Sequence, residues 1–176
     1  MHQKEDNQKT VIDFITGEEI PDVGPEANRQ VMERFLVEEK GFFKEEIEVN
    51  LPIAFDIDGE NYRSRADLVV CIGSRRMMVI KCAAGSLGSR EREVLAAARI
   101  TDTYQIPFAI VTDGKTAILL DTLSGKKIGE GLREIPSRRK LLASVKTVAF
   151  LPFPKERLRP EKLIFRTYDS MNVNRR

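Results

Sequence analysis

The stretch Arg65–Gly85, RADLVVCIGSRRMMVIKCAAG, predicts the centre of the fold because it holds two apolar runs on either side of a turn. The first run is rich in Leu, Val and Ile and the second in Met, Val and Ile, which is typical of buried strands, and the residues 73–75 between them favour a hairpin loop. Each run contains one charged residue, Asp67 in the first and Lys81 in the second. If the loop is three residues long, antiparallel pairing places these two side chains opposite each other, with Cβ atoms about 5 Å apart. The sequence therefore predicts a cross-strand ion pair within a largely buried hairpin.

Helices and strands surround this hairpin in an order that predicts the fold class. Apolar residues at helical spacing indicate a helix, and a short apolar run that ends in a turn indicates a strand. Helices are predicted at 25–40, 89–104, 137–145 and 155–170, and strands at 46–55, 61–72, 77–83, 108–112 and 116–121. A strand meander followed by a helical crossover to a further strand gives a mixed sheet. We therefore expect an α/β fold with a central mixed β-sheet flanked by helices.

The composition excludes several classes of protein. The formal net charge is +2, so no global field indicates a polyanionic partner. His2 is the single histidine of the chain, which argues against His-based zinc sites and His-dependent nucleophilic triads. Because the two cysteines lack metal-ligand spacing and no apolar run reaches the length of a membrane span, we expect a cytoplasmic protein without membrane association.

Four pieces of sequence resemble a known family. They are PEANRQVMERFLVEEKGF, IEVNLPIAFDIDGENYRSRADLVV, MMVIKCAAG and PFAIVTDGKTAILLD. Together they resemble the N-terminal domain of type I restriction enzyme R subunits, which belongs to the PD-(D/E)xK nuclease superfamily. The resemblance implies a restriction-endonuclease-like fold for residues 25–136. We accordingly interpret 1–24 as an N-terminal extension and 137–176 as a C-terminal helical extension.

The resemblance also implies a site. In that family an aspartate on one strand is followed on the next strand by an acid, a spacer and a lysine, and the carboxylates hold a divalent cation, usually Mg²⁺, against the scissile phosphate. The aspartate, and thus the metal ligand, corresponds to Asp67, and the glutamate that the first helix often supplies corresponds to Glu26. The rest departs from the pattern, because Lys81 stands where the family has the acid and Ala83 where it has the lysine.

Three functions remain open at this point. The first is a catalytically impaired, stand-alone nuclease-like domain that binds DNA or a protein partner through the former active-site cleft. The second is an active, Mg²⁺-dependent DNA endonuclease in which Asp67 works with Lys81 as a relocated catalytic lysine and with Glu91 or Glu93 as the second acid. The third is a structural or dimerisation module, with the ion pair as a stabilising contact.

Arginines cluster in sequence around the predicted site. Strict strand alternation places Arg63 and Arg65 on the same face as Asp67, and Arg90 lies at the start of the predicted crossover helix. Guanidinium groups beside a cleft are suited to phosphate contacts. We therefore predict Arg63, Arg65 and Arg90 as nucleic-acid-binding residues.

Overall fold

The computed structural model describes residues 9–171, which form a small two-stranded sheet, a six-stranded sheet and four α-helices. In chain order the elements are β1 (Thr10–Ile12), β2 (Glu19–Pro21), α1 (Glu26–Glu38), β3 (Ile47–Ile57), β4 (Glu60–Ile72), β5 (Arg75–Cys82), α2 (Glu91–Ile100), β6 (Phe108–Thr112), β7 (Ala117–Asp121), β8 (Lys127–Glu130), α3 (Arg138–Ser144) and α4 (Lys155–Ser170). The predicted helices and strands are all present, and β1, β2 and β8 are additional short strands.

The large sheet has the order β3-β4-β5-β6-β7-β8. Its neighbouring strands are antiparallel except for β5 and β6, which are parallel and are connected through α2. The two parallel strands lie in the middle and are apolar on both faces, as expected for strands covered on both sides. The prediction of a mixed central sheet flanked by helices is confirmed, and the architecture is restriction-endonuclease-like.

The β4–β5 hairpin reaches the predicted register by a different route. The loop has two residues, because Ile72 pairs with Arg75, so the prediction of a three-residue loop was wrong. A β-bulge then adds one residue to β5, and beyond it Leu68 pairs with Ile80. Because the bulge supplies the residue that the loop lacks, the strands below it run in the register that brings Asp67 and Lys81 together.

Helices cover both faces of the sheet. Met32 and Leu36 of α1 and Leu141 of α3 pack on one face. Helix α2 and Phe165 of α4 pack on the other. Residues beyond 136 therefore contribute to the core on both faces.

The crossover helix is shorter than predicted. It starts at Glu91, with Ser89 in a preceding 3₁₀ turn, and it ends at Ile100 instead of continuing to residue 104. The residues after the helix are held by tertiary contacts to Arg76. The Tyr104 hydroxyl accepts a hydrogen bond from the backbone N–H of Arg76 at 2.7 Å, and Asp102 pairs with the Arg76 guanidinium group at 3.0 Å. These contacts compete with a further helical turn, and the local sequence does not reveal them.

Candidate active site and its ion-pair network

Strand β4 changes its alternation at the predicted site. Ala66 packs in the cluster beneath α2 and α4, whereas Leu68, two residues later, packs in the cluster on the opposite face. On β3, Asn50 lies between the partners of these two residues and has a φ of 52°, a left-handed conformation that is uncommon within a strand. Because alternation is not strict here, a common face of Arg63, Arg65 and Asp67 does not follow from the strand pattern alone, although Arg65 lines the same cavity as Asp67.

The predicted contact between Asp67 and Lys81 is confirmed. Lys81 Nζ lies 3.8 Å from Asp67 Oδ2, and both residues are buried. The same carboxylate oxygen accepts a hydrogen bond from the backbone N–H of Cys82 at 2.8 Å. Asp67 thus satisfies both the ammonium group and the backbone of the neighbouring strand. Cys82 itself is 1% exposed and is a core residue.

Glu93 makes the shorter ion pair with the lysine. Its Oε1 lies 2.9 Å from Lys81 Nζ, and its Oε2 lies 3.2 Å from Arg90 Nη1. Glu93 occupies the first turn of α2, where the positive end of the helix dipole also favours a carboxylate. From the sequence alone, Glu93 is expected at the site only under the second hypothesis, the relocated nuclease site. The sequence signal for its role is an acidic residue at the start of the helix that follows the strand of Lys81.

The network is buried and contains charges of both signs. Asp67, Lys81 and Glu93 are 5%, 7% and 2% exposed, and Arg90 adds a second cation at the edge. A charge removed from water costs several kcal/mol unless partners compensate it. The arrangement therefore works chemically as a set of mutually neutralising groups.

Helix α4 closes the site. Phe165, which is 1% exposed, lines a cavity together with Asp67, Lys81 and Glu93. The cavity offers about 10 Å³ to the centre of a water molecule, which is room for a single water. No nucleotide fits into this space while the helix is in position.

Polar contacts hold the end of α4 in place over the site. Tyr62 donates a hydrogen bond from its hydroxyl to Asp169 at 2.6 Å, and Arg90 donates one to the Tyr168 carbonyl at 3.2 Å. Further along the helix, Glu161 forms a buried ion pair with Arg99 of α2 at 3.0 Å. The helix is thus joined to the sheet and to α2 by both apolar and polar contacts.

Glu26 lies in a different cluster. Its carboxylate accepts a hydrogen bond from Arg29 Nε at 2.7 Å, and Arg29 also pairs with Asp13 and Glu33 at 2.6 Å each. Burial raises the pKa of Glu33 to about 7. Within residues 9–171 the ion pair of Glu26 is with Arg29, and none is formed between Glu26 and Lys81.

The residues present do not fit the divalent cation that the family pattern implies. An ammonium group occupies the space between the two carboxylates of Asp67 and Glu93. Across the described part of the chain, no group of three His, Cys, Asp or Glu side chains could hold a metal ion. Ala83 is buried in the core cluster and offers no amine in the family's lysine position.

The predicted nucleic-acid contacts have separate environments. Arg63 is exposed and donates a hydrogen bond to Asn61 Oδ1 at 2.9 Å. Arg65 is also exposed and lines the cavity beside Asp67. Arg90 is engaged beneath α4 with Glu93. Arg63 and Arg65 are thus exposed on β4, whereas the guanidinium group of Arg90 is engaged by Glu93 and by the Tyr168 carbonyl.

Comparison with known proteins identifies the family. The model of the type I restriction enzyme R protein N terminus (HSDR_N) matches residues 24–136, more than half of the chain. No curated protein and no solved structure matches the sequence. Among residues 9–171, no helix has the length and apolar character needed to cross a membrane. The matched range, which contains the Asp67–Lys81 hairpin and ends before α3, shows that the chain belongs to the family of type I restriction enzyme R protein N-terminal domains.

Proposed function

We propose that this protein is a non-hydrolytic member of its family that acts by binding DNA. One observation carries the proposal: Lys81 Nζ is 2.9 Å from Glu93 and 3.8 Å from Asp67, in the space that a catalytic cation needs. The site has kept the nuclease aspartate and has converted it into a structural partner. DNA is the natural ligand class because the matching family is named for restriction enzymes.

Electrostatics support the loss of metal-dependent chemistry. At an effective dielectric constant of about 20, two unit charges 4 Å apart interact by about 4 kcal/mol, and a divalent ion doubles this value. With an acid at position 81 the interaction would favour the cation, and with Lys81 it is repulsive. A divalent ion would have to displace the ammonium group from both carboxylates.

Access to the site supports the same conclusion. Phe165 of α4 lines the cavity that contains Asp67, and the remaining space holds about one water. Hydrolysis would require the scissile phosphate and its attacking water to enter together. Binding through the former cleft, as the sequence suggested, likewise requires α4 to leave, so we place the binding surface outside the cleft.

Plasmid nicking tests the catalytic part of this proposal. Supercoiled DNA is incubated with the protein and Mg²⁺ or Mn²⁺, alongside the Asp67→Ala variant purified in the same way. We expect equal, background nicking by both proteins. Cleavage by the wild type that disappears in Asp67→Ala would overturn the proposal.

Binding is measured separately, by fluorescence anisotropy of a labelled duplex without divalent cations at about 50 mM salt. We expect an affinity that falls steeply with salt, since phosphate contacts release counterions. If no duplex or single strand binds and sedimentation shows a stable homodimer, the structural or dimerisation function replaces this one.

A relocated nuclease site is the second candidate, and one observation favours it. Glu93 lies beside Lys81 as that alternative requires, so that Asp67, Glu93 and Lys81 are neighbours. In this case cleavage would depend equally on Asp67 and Glu93. The nicking assay therefore includes Glu93→Gln, with Glu91→Gln as its matched control on the same turn of α2.

A further inference from the structure

Charge is strongly segregated along the chain. Residues 137–176 contain 11 of the 29 Lys and Arg residues but only 3 of the 27 Asp and Glu residues. The first 136 residues therefore contain 18 Lys and Arg residues and 24 Asp and Glu residues. The near-neutral whole thus consists of a basic C-terminal segment with a net charge of +8 and a remainder with −6. Such asymmetry is a feature of chains that contact a polyanion through one segment.

Helix α4 concentrates this charge on one side. Lys155, Arg159, Lys162 and Arg166, which we call the basic row, follow one another at spacings of four, three and four residues. Residues at these spacings lie along the same side of a helix. The row is about 16 Å long at 1.5 Å per residue, a length that spans several successive phosphates of a DNA strand.

The acids of α4 point elsewhere. Glu161 is 4% exposed and pairs with Arg99 of the core, and Asp169 accepts the hydroxyl hydrogen bond of Tyr62. The burial of Glu161 and the hydrogen bond of the half-buried Asp169 to Tyr62 direct these two carboxylates away from the outer surface of the helix. Glu156 is the acid that remains exposed on α4.

The basic row faces an acidic turn at the tip of the β3–β4 hairpin. Arg159 donates two hydrogen bonds to the carboxylate of Asp58, at 3.0 and 2.9 Å, and Arg166 lies 3.6 Å from Glu60. Lys162 donates to the Asp56 carbonyl at 3.4 Å. The bidentate pairing of Arg159 has the geometry with which guanidinium groups also bind phosphates.

These pairs are exposed and therefore easily exchanged. The side chains of Arg159 and Asp58 are 64% and 48% exposed, and those of Arg166 and Glu60 are 32% and 80% exposed. Ion pairs this open to solvent contribute little to stability and are screened by salt. A phosphate of higher charge density can take the place of either carboxylate without disturbing the core.

From this arrangement we propose that the phosphates of a nucleic acid bind the basic row of α4 in competition with Asp58 and Glu60. The acidic turn acts as an internal competitor that weakens binding until a polyanion displaces it. Because the row offers ammonium and guanidinium groups to the backbone and no aromatic side chain, binding does not depend on base sequence. The inference rests on the proposed DNA-binding function and adds the surface and its regulation.

Two sets of substitutions with opposite expected signs test the proposal. In the anisotropy assay, Arg159→Gln/Arg166→Gln should weaken duplex binding at least tenfold, whereas Asp58→Asn/Glu60→Gln should tighten it severalfold. For four phosphate contacts the slope of log K against log salt is about −3.6, and it should halve in the arginine variant. All substituted side chains lie at the surface, and circular dichroism checks that each variant is folded.

The controls separate this inference from the proposed function. Lys126→Gln/Lys127→Gln removes the same charge at the far edge of the sheet, at the start of β8, and should leave binding unchanged. Binding that is indifferent to α4 but lost in Arg63→Gln/Arg65→Gln would overturn the inference and leave the DNA-binding function in place. A failure of the acidic-turn variant to bind more tightly would refute the competition, and binding to anionic lipid vesicles instead of DNA would refute both.

Discussion

Replacing Lys81 by Met provides the sharpest test of the buried network. The substitution keeps an unbranched side chain of similar length but removes the ammonium group from between Asp67 and Glu93, which are 5% and 2% exposed. Two buried carboxylates are then left with one cation fewer. Breaking a buried ion pair in this way costs about 3–5 kcal/mol.

Urea unfolding followed by circular dichroism measures this loss directly. In a domain of this size 1 kcal/mol shifts Tm by about 2–4 °C, so the thermal midpoint should fall by roughly 6–20 °C. The double variant Lys81→Met/Glu93→Gln should recover a large part of the loss. In this variant the side chain at position 93 is neutral, so no carboxylate there is buried without its cation. Coupling of this kind is what a double-mutant cycle between neighbouring residues detects.

A matched control is Lys127→Met, which removes an ammonium group 2.6 Å from Glu130 at the surface and should have no measurable effect on stability. If Lys81→Met costs less than about 1 kcal/mol, the network behaves like a solvent-screened surface pair, and the account of the site as a neutralised metal centre is refuted.

Three further outcomes are expected. Burial raises the pKa of Glu33 to about 7, so the folded state holds a proton that the unfolded chain loses near pH 4.5. The free energy of unfolding should therefore fall as pH rises from about 4.5 to 7. Urea unfolding of Glu33→Gln should lack this decline, and an equal decline in the variant would contradict the assignment of the proton to Glu33. Phe165→Ala should cost about 3–5 kcal/mol and should speed amide exchange in α4 more than in β5, whereas uniform exchange would mean that the ring does not anchor the helix. Burial raises the pKa of the Cys71 thiol to about 12 and that of Cys82 well above its usual value, so neither should react with a thiol reagent at pH 8 until urea unfolds the protein. Rapid labelling of Cys82 in native Cys71→Ser protein would count against the core position of Cys82.

Local signals in the sequence were sufficient where structure depends on neighbouring residues. The Asp58-Gly59 turn joins β3 to β4, and both residues have positive φ, as this dipeptide predicts. The segment 108–112 is β6 with the predicted bounds. The contact of Asp67 with Lys81 also followed from strand pairing, although a two-residue loop and a bulge produce it.

The sequence by itself determined the family, the mixed α/β sheet and the replacement of the family's acid by Lys81, because these are written in apolar periodicity and in residue identity. The tertiary structure alone decided which groups surround that lysine and what reaches it. The closer partner is Glu93, twelve residues away on a helix, and the cover is α4, more than seventy residues away. Such contacts depend on how helices pack across a sheet, and a pattern of neighbouring residues does not encode the distance between elements that meet only after folding.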